Sequence, residues 1–140
     1  MRAAARCWDD VREGEELPGF SLELTVTRMV LQVSGTQDVY PVHHDQAFAR
    51  SAGHADIFVN TAFIRGCLCR VLTDWMGAGG FLRSLRFQMR RPNLVGETIA
   101  VRGRVKKKRP EGLVDLEVWI EGAEGVTVPA TASVTLPARA

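Results

Sequence analysis

A chain of 140 residues with a net charge of +2, 46% hydrophobic and 24% charged, has the composition of one globular domain long enough to bury a sizeable core. That charge is too small to argue for nucleic acid as a partner, and no run of about 18 apolar residues marks a membrane span. Cys7, Cys67 and Cys69 form no CxxC pair, so the expectation is free thiols, with neither a disulfide framework nor a zinc site. The stretch Met1 to Asp10 lacks the apolar core of a signal peptide, which points to a cytoplasmic protein.

Residues 1–19 are polar and broken by glycine and proline, and read as a mobile or surface-draped segment. Phe20 to Val26 alternates apolar and polar residues, as a strand does. Thr27 is a candidate N-cap for a short helix reaching about Val33, with Ser34 and Gly35 ending it. A loop around Pro41 follows. Asp45 then has the side chain to cap a helix that Gly53 stops.

Asn60 is a candidate cap for the longest helix, Thr61 to about Met76. Phe63, Ile64, Cys67, Leu68, Val71, Leu72 and Trp75 form one apolar stripe along it. Gly66 interrupts this helix at a cost of about 1 kcal/mol relative to alanine, and a close backbone approach is the expected reason. From Phe81 the period changes to two. Strands are predicted over Phe81–Arg90, Thr98–Val105, Leu113–Ile120 and Val126–Leu136, joined by antiparallel hairpins, with turns at Arg109–Gly112 and Gly122–Gly125. A one-sided helix needs a sheet to cover it. The predicted architecture is therefore a single α+β domain over 1–140, with a curved antiparallel sheet wrapped around one long central helix.

The densest chemistry lies in Asp38-Val39-Tyr40-Pro41-Val42-His43-His44-Asp45. Tyr40 precedes a proline and is steered away from helix, so this is a held loop. A chain bent at Pro41 can bring the Asp38 carboxylate and the His43 imidazole together. By themselves both residues also fit structural roles. His44 reads as a surface or interface residue, Asp45 as a cap, His54 as loop surface and Cys67 as core packing.

The run Ser34-Gly35, Asp38, Pro41-Val42-His43, Asp45, Phe48-Ala49 and Gly53 resembles the hydratase motif of the MaoC-like (R)-specific enoyl-CoA hydratases, roughly Asp-x-Asn-Pro-aliphatic-His. The resemblance extends through Arg91-Pro92 and Val95-Gly96-Glu97. Val42-His43-His44-Asp45, Asp56-Ile57-Phe58-Val59-Asn60 and Thr73-Asp74-Trp75 are similar to the small subunits of actinobacterial steroid side-chain hydratases, which pair with a larger MaoC-like subunit. The resemblance implies a hotdog fold and addition of water to a 2-enoyl thioester. Asp38 and His43 would be the catalytic dyad, and the backbone N–H of Thr61 or Ala62 would face the developing oxyanion. This chain has Tyr40 where the family has Asn, and Asn60-Thr61 where it has His-Gly, so Tyr40 and Asn60 are candidate pocket residues.

No metal or redox cofactor is implied, coenzyme A being part of the substrate. The implied partners are an acyl-CoA and either a second copy or a larger MaoC-like subunit. Arg86, Arg90 and Lys107 are candidate contacts for the coenzyme A phosphates. They lie in two basic sets, Arg83 to Arg91 and Lys106 to Arg109, which also fit a solvated strand face and hairpin end. Two other functions fit the same family: a non-catalytic or half-catalytic partner subunit, and a hotdog thioesterase.

Overall fold

Thr61–Met76 forms the longest helix, α3, of the computed structural model, which describes residues 6–139. The Asn60 side chain caps it, accepting the Phe63 N–H at 2.9 Å, and Gly77 ends it at φ +68°. Ile64, Cys67, Leu68, Val71, Leu72, Trp75 and Met76 are buried, so the apolar stripe is the core face. Each fully buried leucine contributes roughly 2 kcal/mol of transfer free energy. Gly66 departs from expectation. A Cβ built there meets nothing within 4 Å, so no neighbouring backbone requires a glycine.

The sheet that covers α3 has the order β1-β3-β4-β5-β2, all antiparallel. Its strands are β1 (Phe20–Glu23), β2 (Phe81–Phe87), β3 (Thr98–Lys108), β4 (Leu113–Gly122) and β5 (Gly125–Thr135). The hairpins predicted at Arg109–Gly112 and Gly122–Gly125 join β3 to β4 and β4 to β5. The first strand after the helix does not extend that meander. It crosses to the far edge and pairs with β5, so both flanks of α3 are enclosed.

β2 also ends earlier than its pattern suggested. It faces Pro129 of β5, which has no N–H to return, and only one-sided bonds continue: Gln88 N–H to Pro129 O at 3.2 Å and Arg90 N–H to Thr127 O at 3.0 Å. A bulge between Leu82 and Ser84 shifts the strand's facing. Leu82, Leu85 and Phe87 pack on the core, whereas Phe81 is 60% exposed.

Residues 14–17 are hydrogen-bonded along β3, and Trp8 is bonded to Pro137 O. Leu17 N–H donates to Gly103 O at 2.8 Å, Val105 N–H to Glu15 O at 2.9 Å, and Val11 and Leu17 are buried. A side chain at Gly103 would sit 2.8 Å from Val118 and 3.0 Å from Leu17, so this glycine sets how closely the segment approaches. Of the mobile or surface-draped segment predicted over 1–19, residues 1–5 lie outside the described residues.

The first helix, α1, spans Val26–Thr36. Its cap is Thr25, accepting the Arg28 N–H at 3.2 Å, rather than Thr27. It runs through Ser34 and Gly35 to Gln37, which stops it at φ +58°. α2 (Gln46–Ser51) begins as predicted, with Asp45 accepting the Phe48 N–H at 3.0 Å.

Candidate active site

Between α1 and α2 the chain turns through Pro41–His43 as a single 3-10 turn. The fixed φ of proline suits the first position of such a turn. Val42 and His43 are drawn inside and Tyr40 is left out. This bend brings Asp38 and His43 together, with Nε2 of His43 3.4 Å from Oδ2 of Asp38. The two differ in setting. The imidazole is buried, and the carboxylate side chain is 42% exposed.

The other ring nitrogen, Nδ1, is 2.8 Å from the Phe58 carbonyl oxygen. A carbonyl only accepts, so the neutral ring carries its proton on Nδ1 and presents a lone pair at Nε2. Nε2 and the Asp38 carboxylate are then two acceptors side by side. They have no proton to share unless a third group donates one to each. A water molecule does this with its two O–H bonds, which leaves its oxygen lone pairs free for an electrophile.

The peptides after Phe58 lead into α3. Among the described residues no acceptor pairs with the N–H of Thr61 or Ala62, which point from the positive end of a 16-residue helix. Tyr40, 55% exposed, stands edge-on to His43 with ring centroids 6.3 Å apart, at the open side of the dyad.

Asn60 does not line an opening within this chain. It is 1% exposed, its Oδ1 holds the Phe63 N–H, and its Nδ2 donates to the Thr36 hydroxyl at 2.7 Å. His44 is on the surface, donating from Nε2 to Val39 O at 3.0 Å. His54 packs against the Phe58 ring at 4.6 Å. Two groups of the site were assigned no role from the sequence. One is the Phe58 carbonyl. The other is Gln32, whose only sequence signal is a polar side chain one turn beyond Met29 on the buried face of α1.

The basic candidates separate. Arg90 adjoins Met89, whose sulfur accepts from the Thr61 hydroxyl at 3.5 Å, so it shares the end of the molecule that holds the start of α3. Arg86 faces outward beside Glu117, Trp119, Pro129 and Thr131, in a groove of about 540 Å³. Lys107 lies near the far end of β3, nine residues beyond Thr98 and so about 30 Å along the strand. Much of the charge around it is neutralised across strands, Lys106 and Arg104 by Glu117 and Arg109 by Asp115. The guanidinium of Arg104 holds the Glu117 carboxyl below its usual range. Among the described residues no three His, Cys, Asp or Glu side chains cluster as a metal site would require.

A five-stranded antiparallel sheet curled around one long helix is the architecture of a hotdog protein. Over 123 residues the chain is 30% identical to the 3-oxo-4,17-pregnadiene-20-carboxyl-CoA hydratase beta subunit of Mycobacterium tuberculosis, spanning 88% of this chain and 95% of that subunit. It matches a chain of the ChsH1–ChsH2 complex from the same organism with a TM-score of 0.85 and 29% identity, over 90% of this chain and 98% of that one. The unliganded R-hydratase PhaJ1 of Pseudomonas aeruginosa shares the fold, with a TM-score of 0.86 at 17% identity over 95% and 86% of the two chains. No protein-family model matches the sequence. The chain belongs to the MaoC-like hydratase family.

Proposed function

We propose that this protein adds water across the double bond of a 2-enoyl-CoA, or runs the reverse dehydration, with Asp38 and His43 holding the water. The observation that carries the reading is the pair of facing acceptors, Nε2 of His43 and Oδ2 of Asp38, 3.4 Å apart at the mouth of a buried turn. As the water oxygen bonds to C3, one of its protons passes to the dyad. A proton from the dyad goes to C2, so the pair ends as it began. The thioester oxygen gains negative charge during addition. The N–H groups of Thr61 and Ala62, which have no acceptor among the described residues and sit at the positive end of α3, support a role as its donors. The reaction neither oxidises nor reduces the substrate overall, and coenzyme A enters only as part of it.

The substrate class we favour is a bulky acyl-CoA of the steroid side-chain kind, because the 30% identical relative is named for such a substrate. The solved relative is one subunit of a two-component complex. β2 leaves an unpaired sheet edge here, which fits assembly with a second copy or a larger hydratase-like subunit. Free cysteines fit a cytoplasmic setting. Arg90 is our candidate for the coenzyme A phosphates, because its neighbour Met89 contacts Thr61 at the start of α3.

Hydration of a short 2-enoyl-CoA and of a steroid 2-enoyl-CoA is followed by loss of the conjugated absorbance. Asp38→Asn and His43→Ala are each expected to lower kcat/KM by about 10²- to 10⁴-fold while the proteins stay folded. Full activity in both variants would sink the dyad. A folded wild type that is inactive alone, and active once a larger subunit is added, would make this chain a partner subunit. Release of free thiol from a saturated acyl-CoA would make it a thioesterase.

A further inference from the structure

Gln32 occupies a place on α1 that an amphipathic helix gives to an apolar side chain, and it is 5% exposed. Its Nε2 donates to the Phe58 carbonyl at 3.2 Å, and its Oε1 accepts the Asn60 N–H at 2.8 Å. The partners fix the carboxamide's orientation, since the carbonyl requires a donor and the N–H an acceptor. The Phe58 oxygen therefore receives two protons, one from Gln32 and one from Nδ1 of His43. Asn60 is the cap of α3, the residue before Thr61. Thr36 closes the group. Its hydroxyl donates to the backbone carbonyl of Gln32 at 2.6 Å and accepts from Asn60 Nδ2 at 2.7 Å, with the Asp38 N–H 3.4 Å away. The backbones of Phe58 and Asn60 thus meet around one buried amide, and Asp38 is linked to the group only through Thr36.

We propose that Gln32 is a positioning residue. It anchors the Phe58 carbonyl that keeps His43 in its Nδ1–H form, and it sets the dyad against the start of α3. The catalytic part of this assignment rests on the hydratase reading. Without the amide, the Phe58 carbonyl keeps its His43 donor and the Val59 N–H bond to Asn93 O at 3.1 Å but loses its tie to α1, and the Asn60 N–H is left buried without a partner. The tie between residues 58–60 and α1 is then reduced to the bond from Asn60 Nδ2 to the Thr36 hydroxyl. With one of its two donors gone, the Phe58 oxygen is free to shift away from Nδ1, which weakens the contact that selects the His43 tautomer and the constant lone pair at Nε2.

The test uses the full chain and two variants close to Gln32 in size, Gln32→Met and Gln32→Leu, with circular dichroism to establish folding. Two-bond nitrogen–proton correlation spectra read the His43 tautomer, and kcat and KM are measured on the 2-enoyl-CoA that the wild type turns over. Neutral His43 is expected as a single Nδ1–H tautomer in the wild type and as a mixture in both variants. kcat should fall roughly 10- to 100-fold, with KM little changed. An unaltered His43 spectrum in folded variants overturns the proposal, as does an unaltered kcat where the spectrum has changed. Wild-type protein decides the matter if neither variant folds: a single Nδ1–H tautomer with slowly exchanging Gln32 amide protons supports the assignment, and an Nε2–H tautomer or fast exchange overturns it. Absence of hydration by the wild type would defeat the hydratase reading, while the spectra still decide whether Gln32 sets His43.

Discussion

Around α3 the buried side chains are almost all apolar, from Ile64 to Met76 on the helix and from Ile99 to Leu136 on the sheet, whereas the buried set between Thr25 and Asn60 includes Gln32, His43 and Asn60. The first region is held by area removed from water, which has no direction and tolerates small shifts. The second is held by hydrogen bonds with fixed partners, and losing one leaves its mate buried and unsatisfied at about 1–3 kcal/mol. The apolar region supplies stability. The polar region fixes angles, which is what a dyad and a helix end need if they are to act on one thioester. Stability and chemistry should therefore separate on mutation.

Leu72 tests that separation with the largest expected stability effect. It is fully buried on α3, and Leu72→Ala should lower the unfolding free energy by about 2–5 kcal/mol, measured from urea denaturation midpoints. Turnover per folded molecule should hold at temperatures well below the new midpoint. Asp38→Asn, at a side chain 42% exposed, should show the converse, with activity lost and the midpoint nearly unmoved. Equal loss of activity in Leu72→Ala would mean that the core also sets the angles of the site.

The same division explains what the sequence disclosed. α3 was legible to the residue, because an apolar stripe and an Asn cap depend only on local spacing. β3 to β5 were legible for the same reason, with period two and glycine-bearing turns. The place of β2 at the far edge was not, since pairing partners are chosen by the closure of the sheet around α3 and not by the strand's own pattern. α1 was misjudged because Val26, Thr27 and Val30 are β-branched; the cap at Thr25 and the polar contacts of Gln32 and Thr36 overrode that preference. In the site, Asp38 and His43 were readable through the Pro41 bend and the motif. The carbonyl that orients His43 belongs to Phe58, fifteen residues away. A backbone acceptor leaves no trace in side-chain identity.

Cys67 sharpens the comparison, because it is an ionisable group inside the apolar region. Burial pushes its thiol from 9.0 up to about 11, against a smaller opposing pull from the charges of Arg70 and Arg28. In the unfolded chain the thiol ionises near 9, while the folded state keeps it neutral to about 11. Stability is thus intact below pH 9 and falls as the pH rises toward 11. A rise of that size corresponds to about 3 kcal/mol. Other groups titrate in this range, so the measurement is the difference in stability between wild type and Cys67→Ala, which should move in favour of the variant by that amount between pH 9 and 11. A constant difference would mean that water reaches the thiol and that the core is less dry than its packing implies.

The smallest effect comes from Gly66, where the two regions offer competing explanations. A glycine inside a helix costs about 1 kcal/mol relative to alanine, and the expected compensation, a close neighbour, is missing, since a Cβ there meets nothing within 4 Å. Gly66→Ala should accordingly stabilise the isolated chain by up to about 1 kcal/mol, read as a raised urea midpoint. Yet Gly66 lies in an open groove of about 290 Å³ with Phe20, Leu22 and Phe63, rimmed by Arg28 and Arg70. Stabilisation with unchanged turnover would mean that the glycine serves neither core nor site. Stabilisation with slower turnover or weaker assembly would mean that something outside this chain occupies the groove. The apolar face of α3 would then contribute to function as well as to the fold, and the boundary between the two regions would have to be redrawn along this helix.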